Sequence, residues 1–220
     1  MVSKPFRSND LLDKAAHELG NITIEWARIE GAIDELIVLL GPLEEGPAGH
    51  VFTGNIDIRN KIQMLKGLAF LRQHDRDWFG DVLFLLEYID NDLRPKRNGL
   101  IHAEWFIPSG KLLRRTRKTK ILRPQAHQLV LETEQNVSVK LRELRALLID
   151  LQQVWLALLP ALWYMIGEDD QLRPNASPSI SYKQYLRWGG FGNPARQIRQ
   201  KQQRRRKAAH KSKRPQAAMT

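Results

Sequence analysis

Ile22, Trp26, Ile29, Ile33, Leu36 and Leu40 follow one another at intervals that alternate between four and three. That period matches the 3.6-residue turn of an α-helix and cannot line one face of a strand. Leu141, Leu144, Leu148, Leu151, Trp155, Leu158 and Leu162 repeat it. Two shorter sets show it as well: Ile58, Ile62, Leu65 and Ala69, then Trp78, Val82, Leu85, Ile89 and Leu93. Each set gives its helix an apolar stripe that has to be covered by another helix. Four long amphipathic helices of this kind predict an all-α fold, an up-down helical bundle of four to five helices.

Local signals set the expected boundaries. Ser8 and Asp10 suit helix N-caps, Gly20-Asn21 suits a kink, and Gly41-Pro42 stops the first helix. A Gly/Pro-rich loop runs to about Gly54, and a second helix spans Ile56 to Leu71. A third starts at Asp75 or Asp77 and ends before Pro95, where proline disfavours helix in the residue before it. A short fourth helix holds Arg97 to Glu104, and a fifth begins at Asn136 or Ser138. Residues 8–167 thus form the bundle domain. Within it, residues 106–135 break the pattern. Ile107-Pro108-Ser109-Gly110 is a turn, and Leu112–Leu122 and Gln128–Thr133 read as strands of an inserted β-hairpin or three-strand flap. Residues 168–195 form an irregular extension. Its Tyr182, Tyr185, Trp188 and Phe191 serve to anchor it on the bundle, with base stacking as the alternative.

The formal charge of +11 is unevenly placed. Residues 196–220 hold ten Lys or Arg and no acid, and the rest of the chain holds 25 basic against 24 acidic side chains. With few large apolar residues, this tail cannot offset the entropy lost on folding and is expected to be disordered. Arg204, Arg205 and Arg206 within it would bind a polyanion by releasing counterions. The insert carries a second basic run, Lys111, Arg114, Arg115, Arg117, Lys118, Lys120 and Arg123, with no acid between them. It reads either as a solvated hairpin face or as an entry surface for a phosphate backbone. The longest apolar run, Val154 to Ile166, has 13 residues and contains Pro160, which suits a buried core helix better than a membrane span. The N-terminal residues lack the apolar core of a signal peptide. Cysteine is absent, so disulfides, thiolate metal sites and cysteine nucleophiles are excluded. The expectation is a cytoplasmic protein with no membrane partner.

Residues 97–105 read Arg-Asn-Gly-Leu-Ile-His-Ala-Glu-Trp. His102 can move protons near neutral pH, and Arg97 is a permanent planar cation that fits a phosphoryl group. An arginine–histidine pair at this spacing is not specific: Arg204 or Arg205 before His210 repeats it in the tail. A helix end where both residues happen to fall is the plain alternative. Positions five apart on a helix differ by about 140°, so Arg97 should lie off the face shared by Asn98 and His102, at the helix start or in the preceding turn. His102-x-Glu104 matches part of a zinc deaminase signature, but its two cysteines are absent, so no metal is expected.

Arg97, Asn98 and His102, with four residues between arginine and histidine, resemble the signature of the HEPN superfamily. The wording "RNGLIHAEW" and the preceding helices "EWARIEGAIDELI" and "IRNKIQMLKGLAF" are similar in arrangement. The resemblance covers about residues 10–105 and, more weakly, 136–166. It implies a metal-independent endoribonuclease without a cofactor, acting as a homodimer that brings two motifs together across a cleft. It also implies roles such as a toxin held by an antitoxin or another regulatory protein, or a defence component. In that chemistry a ribose 2′-OH attacks the adjacent phosphorus, His102 handles the proton, Arg97 stabilises the phosphoryl oxygens and Asn98 orients the histidine or the RNA. The alternative is a non-catalytic helical module that binds nucleic acid or protein through its basic tail. There His102 would be buried and Arg97 would pair with Asp90 or Asp92.

Overall fold

The first four-three stripe becomes α1 (Arg7–Leu40), helical through Gly20-Asn21. The computed structural model describes residues 7–41, 47–72, 75–108, 111–120, 131–171 and 181–212. After α1 come α2 (Pro47–Gly54), α3 (Ile58–Leu71) and α4 (Arg76–Tyr88). A π-helical segment (Ile89–Leu93) and α5 (Arg94–Ile101) follow, then β1 (Glu104–Phe106), β2 (Leu113–Lys120) and β3 (Leu131–Ser138). The chain ends in α6 (Leu141–Gln171), α7 (Tyr182–Trp188) and α8 (Pro194–Ser212). The fold is mostly helical with one small antiparallel sheet, strand order β1-β2-β3.

Several expected boundaries move, each for a local reason. The loop before Gly54 contains α2, which opens on Pro47, a residue pre-set for a first helical turn. The helix expected to stop before Pro95 does not stop. Proline lacks an N–H and crowds the carbonyl four residues back, and the wider turn of the π segment ahead of it relieves both, so α5 already begins at Arg94. Asn136 and Ser138, taken as starts of the fifth helix, lie in β3. That strand pairs along the whole of β2, from Leu113↔Ser138 to Lys120↔Leu131.

By internal packing the chain divides into two units, Met1–Ala27 with Asn91–Leu151, and Arg28–Asp90 with Gln152–Thr220. In the first, Ile22 and Trp26 of α1, Leu100 of α5, Leu112 and Val139 at the sheet, and Leu144 and Leu147 of α6 are buried. Glu18, itself buried, accepts a hydrogen bond from Arg145 Nε at 2.7 Å, tying α1 to α6. Burying these seven apolar side chains contributes on the order of 10 kcal/mol or more before entropy is counted.

In the second unit Ile29, Ile33 and Leu36 of α1, Ile62 and Leu65 of α3, Trp78, Val82 and Leu85 of α4, and Val154 and Leu158 of α6 are buried. Trp78 Nε1 donates to the Ala161 carbonyl at 3.0 Å, and Lys61 Nζ lies 2.8 Å from Asp34. Asp57 caps α3 and Asp75 caps α4, each through backbone N–H groups of the first turn. The second oxygen of Asp75 accepts from the Tyr182 N–H at 3.0 Å, so the same carboxylate also holds the start of α7.

The extension and tail depart furthest from expectation. Instead of an irregular segment, α7 opens with a capping box between Ser181 and Gln184. Tyr182 packs against Tyr164 at 5.2 Å between ring centroids, Tyr185 packs against both Tyr164 and Phe191, and Phe191 meets Trp163. These aromatics anchor the extension. The expected disorder from residue 196 is replaced by α8 as far as Ser212. Its Gln, Arg, Lys and Ala are good helix formers, Asn193 Oδ1 caps it by accepting from Arg196 N at 2.7 Å, and Ala195 and Ile198 are buried. The tail beyond Ser212, and Arg123 of the insert, lie outside the described residues.

Candidate functional site

The candidate site is the last turn of α5 and the residue that ends it. Arg97 and Asn98 lie inside the helix, and His102 is its C-cap, with φ −92° and ψ 13°. Arg97 closes the first turn of the helix, which fits the helix-start alternative left by the spacing and not the preceding turn. Its Nη1 donates to Asn98 Oδ1 at 3.1 Å, and its guanidinium carbon stands 5.6 Å from the ring centroid of the buried Trp26. A guanidinium over an indole face is held by the ring quadrupole. Neither Asp90 nor Asp92 pairs with it. Among the described residues it has no acidic partner, and its Nε is buried without an acceptor.

His102 is exposed, not buried. Its backbone N–H donates to the Asn98 carbonyl at 3.2 Å, and its imidazole has no partner among the described residues. One copy of the chain thus brings Arg97 and Asn98 into contact and places a free imidazole one turn further on, joined to them only through the backbone. Such a site can bind and polarise a phosphoryl group through Arg97. It offers a single proton-transfer group.

Two residues that the sequence did not mark as supports fix this turn. The carbonyls at a helix end need donors. Here Trp105 Nε1 donates to Leu100 O at 3.0 Å, and Arg114 Nη1 donates to Gly99 O. A cation at this end also complements the helix dipole. A Cβ on residue 99 would lie 2.9 Å from Arg114 Nη1, a contact that a small shift of the arginine's flexible end would relieve. The adjacency of Trp105 to the motif was visible in the sequence. The contacts of Trp26 and Arg114 were not, because they depend on tertiary packing.

The predicted nucleic-acid contacts separate into groups. Arg114 is half-buried at α5. Arg115 stands 4.9 Å over Phe106, 3.8 Å from Glu104, and donates to Asn136 at 3.3 Å. Lys111 is exposed. Arg117, Lys118 and Lys120 occupy β2 opposite Glu134, Thr133 and Leu131. Glu104 of β1 thus brings an acid beside the basic run. Arg204, Arg205 and Arg206 are exposed on α8, in the second unit. That helix is docked by Arg199, 3.7 Å from Asp81 and 4.6 Å over Phe84, and by Asn193, which donates to Asp81 at 3.2 Å. Burial pushes the Asp81 carboxyl above its ordinary range, against the lowering pull of Arg199 and Asn193. Burial likewise raises the Tyr182 phenol.

No group of three or more metal-ligating side chains occurs among the described residues. From Leu141 to Gly167, α6 is long and apolar enough to cross a bilayer by length and composition, and half of its most apolar window is buried in the fold. Searches against protein-family models, curated proteins and solved structures found no match.

Proposed function

We propose that this protein is a metal-independent endoribonuclease of the HEPN type, an up-down helical bundle acting as a cytoplasmic homodimer. The observation that carries the reading is the unpaired, half-buried Arg97 guanidinium held on Trp26 and Asn98, with the exposed His102 imidazole one turn away. A part-buried cation without an acid is costly unless an anion visits it, and a free imidazole beside it supplies the proton transfer that 2′-OH attack needs.

The dimer is what the resemblance implies, and the chemistry of the step gives it a purpose. In-line attack puts the entering 2′-oxygen and the leaving 5′-oxygen on opposite sides of phosphorus. One imidazole cannot serve both at once, and a second copy supplies the other. RNA bond cleavage then yields a 2′,3′-cyclic phosphate and a free 5′-OH. Lys111 and Arg204–Arg206 supply exposed charge for the backbone. A toxin or defence role, with an antitoxin or other regulatory protein covering the site, fits such an activity.

The alternative, a non-catalytic module binding nucleic acid through α8, is favoured by one observation: the His102 ring touches neither Arg97 nor Asn98. The two readings part in an RNA cleavage assay in EDTA, comparing wild type with Arg97→Ala, His102→Ala and a combined Arg204→Ala, Arg205→Ala, Arg206→Ala variant. A triple substitution is used because truncating residues 196–220 would remove the buried Ile198. Loss of about 10²-fold or more in each point variant is expected, with only a salt-sensitive drop in the triple variant. Full cleavage by His102→Ala, or no cleavage by wild type, rejects the enzyme.

A further inference from the structure

A cavity of about 410 Å³ opens between α5, the sheet and the start of α6, all within the first unit. It uses the face of α5 that carries Pro95, Lys96, Gly99 and Leu100, and neither Arg97 nor His102 lines it. The volume is typical of a small-molecule site. We propose that this cavity binds a medium-chain aliphatic carboxylate, its alkyl chain on the Leu100–Leu144–Leu147 floor and its headgroup at Arg114.

The floor is aliphatic. Leu100, Val139, Leu144 and Leu147 are all at most 9% exposed, and no aromatic ring lines the cavity to stack a planar base. Such walls take a hydrocarbon chain and reject a strongly hydrated phosphate. Arg114 supplies the charge. It is half-buried, spends Nη1 on the Gly99 carbonyl, has no acidic partner among the described residues, and its Nε is buried without an acceptor. A desolvated guanidinium in that state is stabilised by an arriving anion, and the planar fork of arginine matches a carboxylate. Exposed Lys96 and Glu143 also line the cavity. In water at its rim their opposite charges largely offset one another, which leaves Arg114 to set the sign. The site uses a face of α5 that Arg97 and His102 do not share, so it stands or falls apart from the ribonuclease reading.

Calorimetric titration of the full chain with hexanoate, octanoate and decanoate tests this, with octan-1-ol as the neutral control. Saturable one-to-one binding is expected, tightening about fourfold per added methylene and at least about tenfold tighter for octanoate than for octanol, as a charge-assisted bond requires. Val137 lines the cavity and is 39% exposed on β3, so Val137→Trp should fill the cavity and abolish binding with little effect on the melting temperature. Arg114→Gln should equalise octanoate and octanol. Absence of binding by the wild type, equal affinity for octanol, or undiminished binding by a folded Val137→Trp variant overturns the assignment.

Discussion

Arg97 makes two contacts that lysine cannot reproduce together: its guanidinium stands 5.6 Å over the Trp26 ring, and its Nη1 donates to Asn98 Oδ1. Arg97→Lys keeps the charge and loses the geometry. The expected outcome is a fall in RNA cleavage of roughly 10²-fold, with a stability loss of about 1 kcal/mol or less from the weakened cation–π contact. Cleavage kinetics and a urea melt on the same preparation check both. An active Arg97→Lys variant would mean that a point charge suffices and that the stack on Trp26 is only packing. The identities of Arg97, Asn98 and His102 were legible in sequence because spacing and residue type carry them. The Trp26 platform was not, since Trp26 is indistinguishable there from its apolar neighbours on the α1 stripe.

At the scale of elements, periodicity found the helices and the buried stripes of α1 and α4, and misjudged the rotation of α6. The stripe read from Leu141 through Leu162 includes Leu141, Leu148 and Trp155, which are half-buried. The buried stripe is Leu144, Leu147, Leu151, Val154, Leu158, Ala161 and Met165, turned by about one residue. A helix this rich in leucine carries two overlapping four-three series, and only its neighbours decide between them. For α8 the failure ran the other way. Its low apolar content concealed a helix held by two buried apolar residues, Ala195 and Ile198, and one carboxylate. That carboxylate yields a pH prediction. Burial raises the folded-state pKa of Asp81 above the unfolded value of about 3.9, so its native state holds the proton more tightly. Its contribution to stability is full below that value and is lost as pH rises through the folded pKa. Asp81→Asn should therefore melt with wild type near pH 3 and exceed it at pH 7 by about 1 kcal/mol, some 2–4 °C. Arg199→Ala should lose about 1–2 kcal/mol at pH 7 by leaving the carboxylate uncompensated. Thermal melts from pH 3 to 7 decide it. An Asp81→Asn variant that is less stable at pH 7, with the deficit shrinking in acid, would show that the Arg199 pair outweighs burial.

For the whole molecule, the open question set by the chemistry is where a second copy would sit. Ile149, Leu156 and Trp163 recur every seven residues along α6 and are 49%, 53% and 45% exposed. A row of large apolar side chains in water is the kind of surface that marks an association site, and a seven-residue recurrence keeps such a row on one side of a helix. Trp163 is partly committed to Phe191, whereas Ile149 and Leu156 are better placed for substitution without disturbing the aromatic cluster. The 25.5 kDa chain should sediment at about twice that mass, and the double variant Ile149→Glu, Leu156→Glu should sediment as a monomer. If one imidazole per copy cannot serve both oxygens of the cleaved bond, RNA cleavage should disappear with the dimer, while circular dichroism and the melting temperature stay near those of wild type. Sedimentation and cleavage measured over one concentration series separate the outcomes. An active monomer would mean that His102 alone suffices, and a dimer that survives both glutamates would place the contact on another surface.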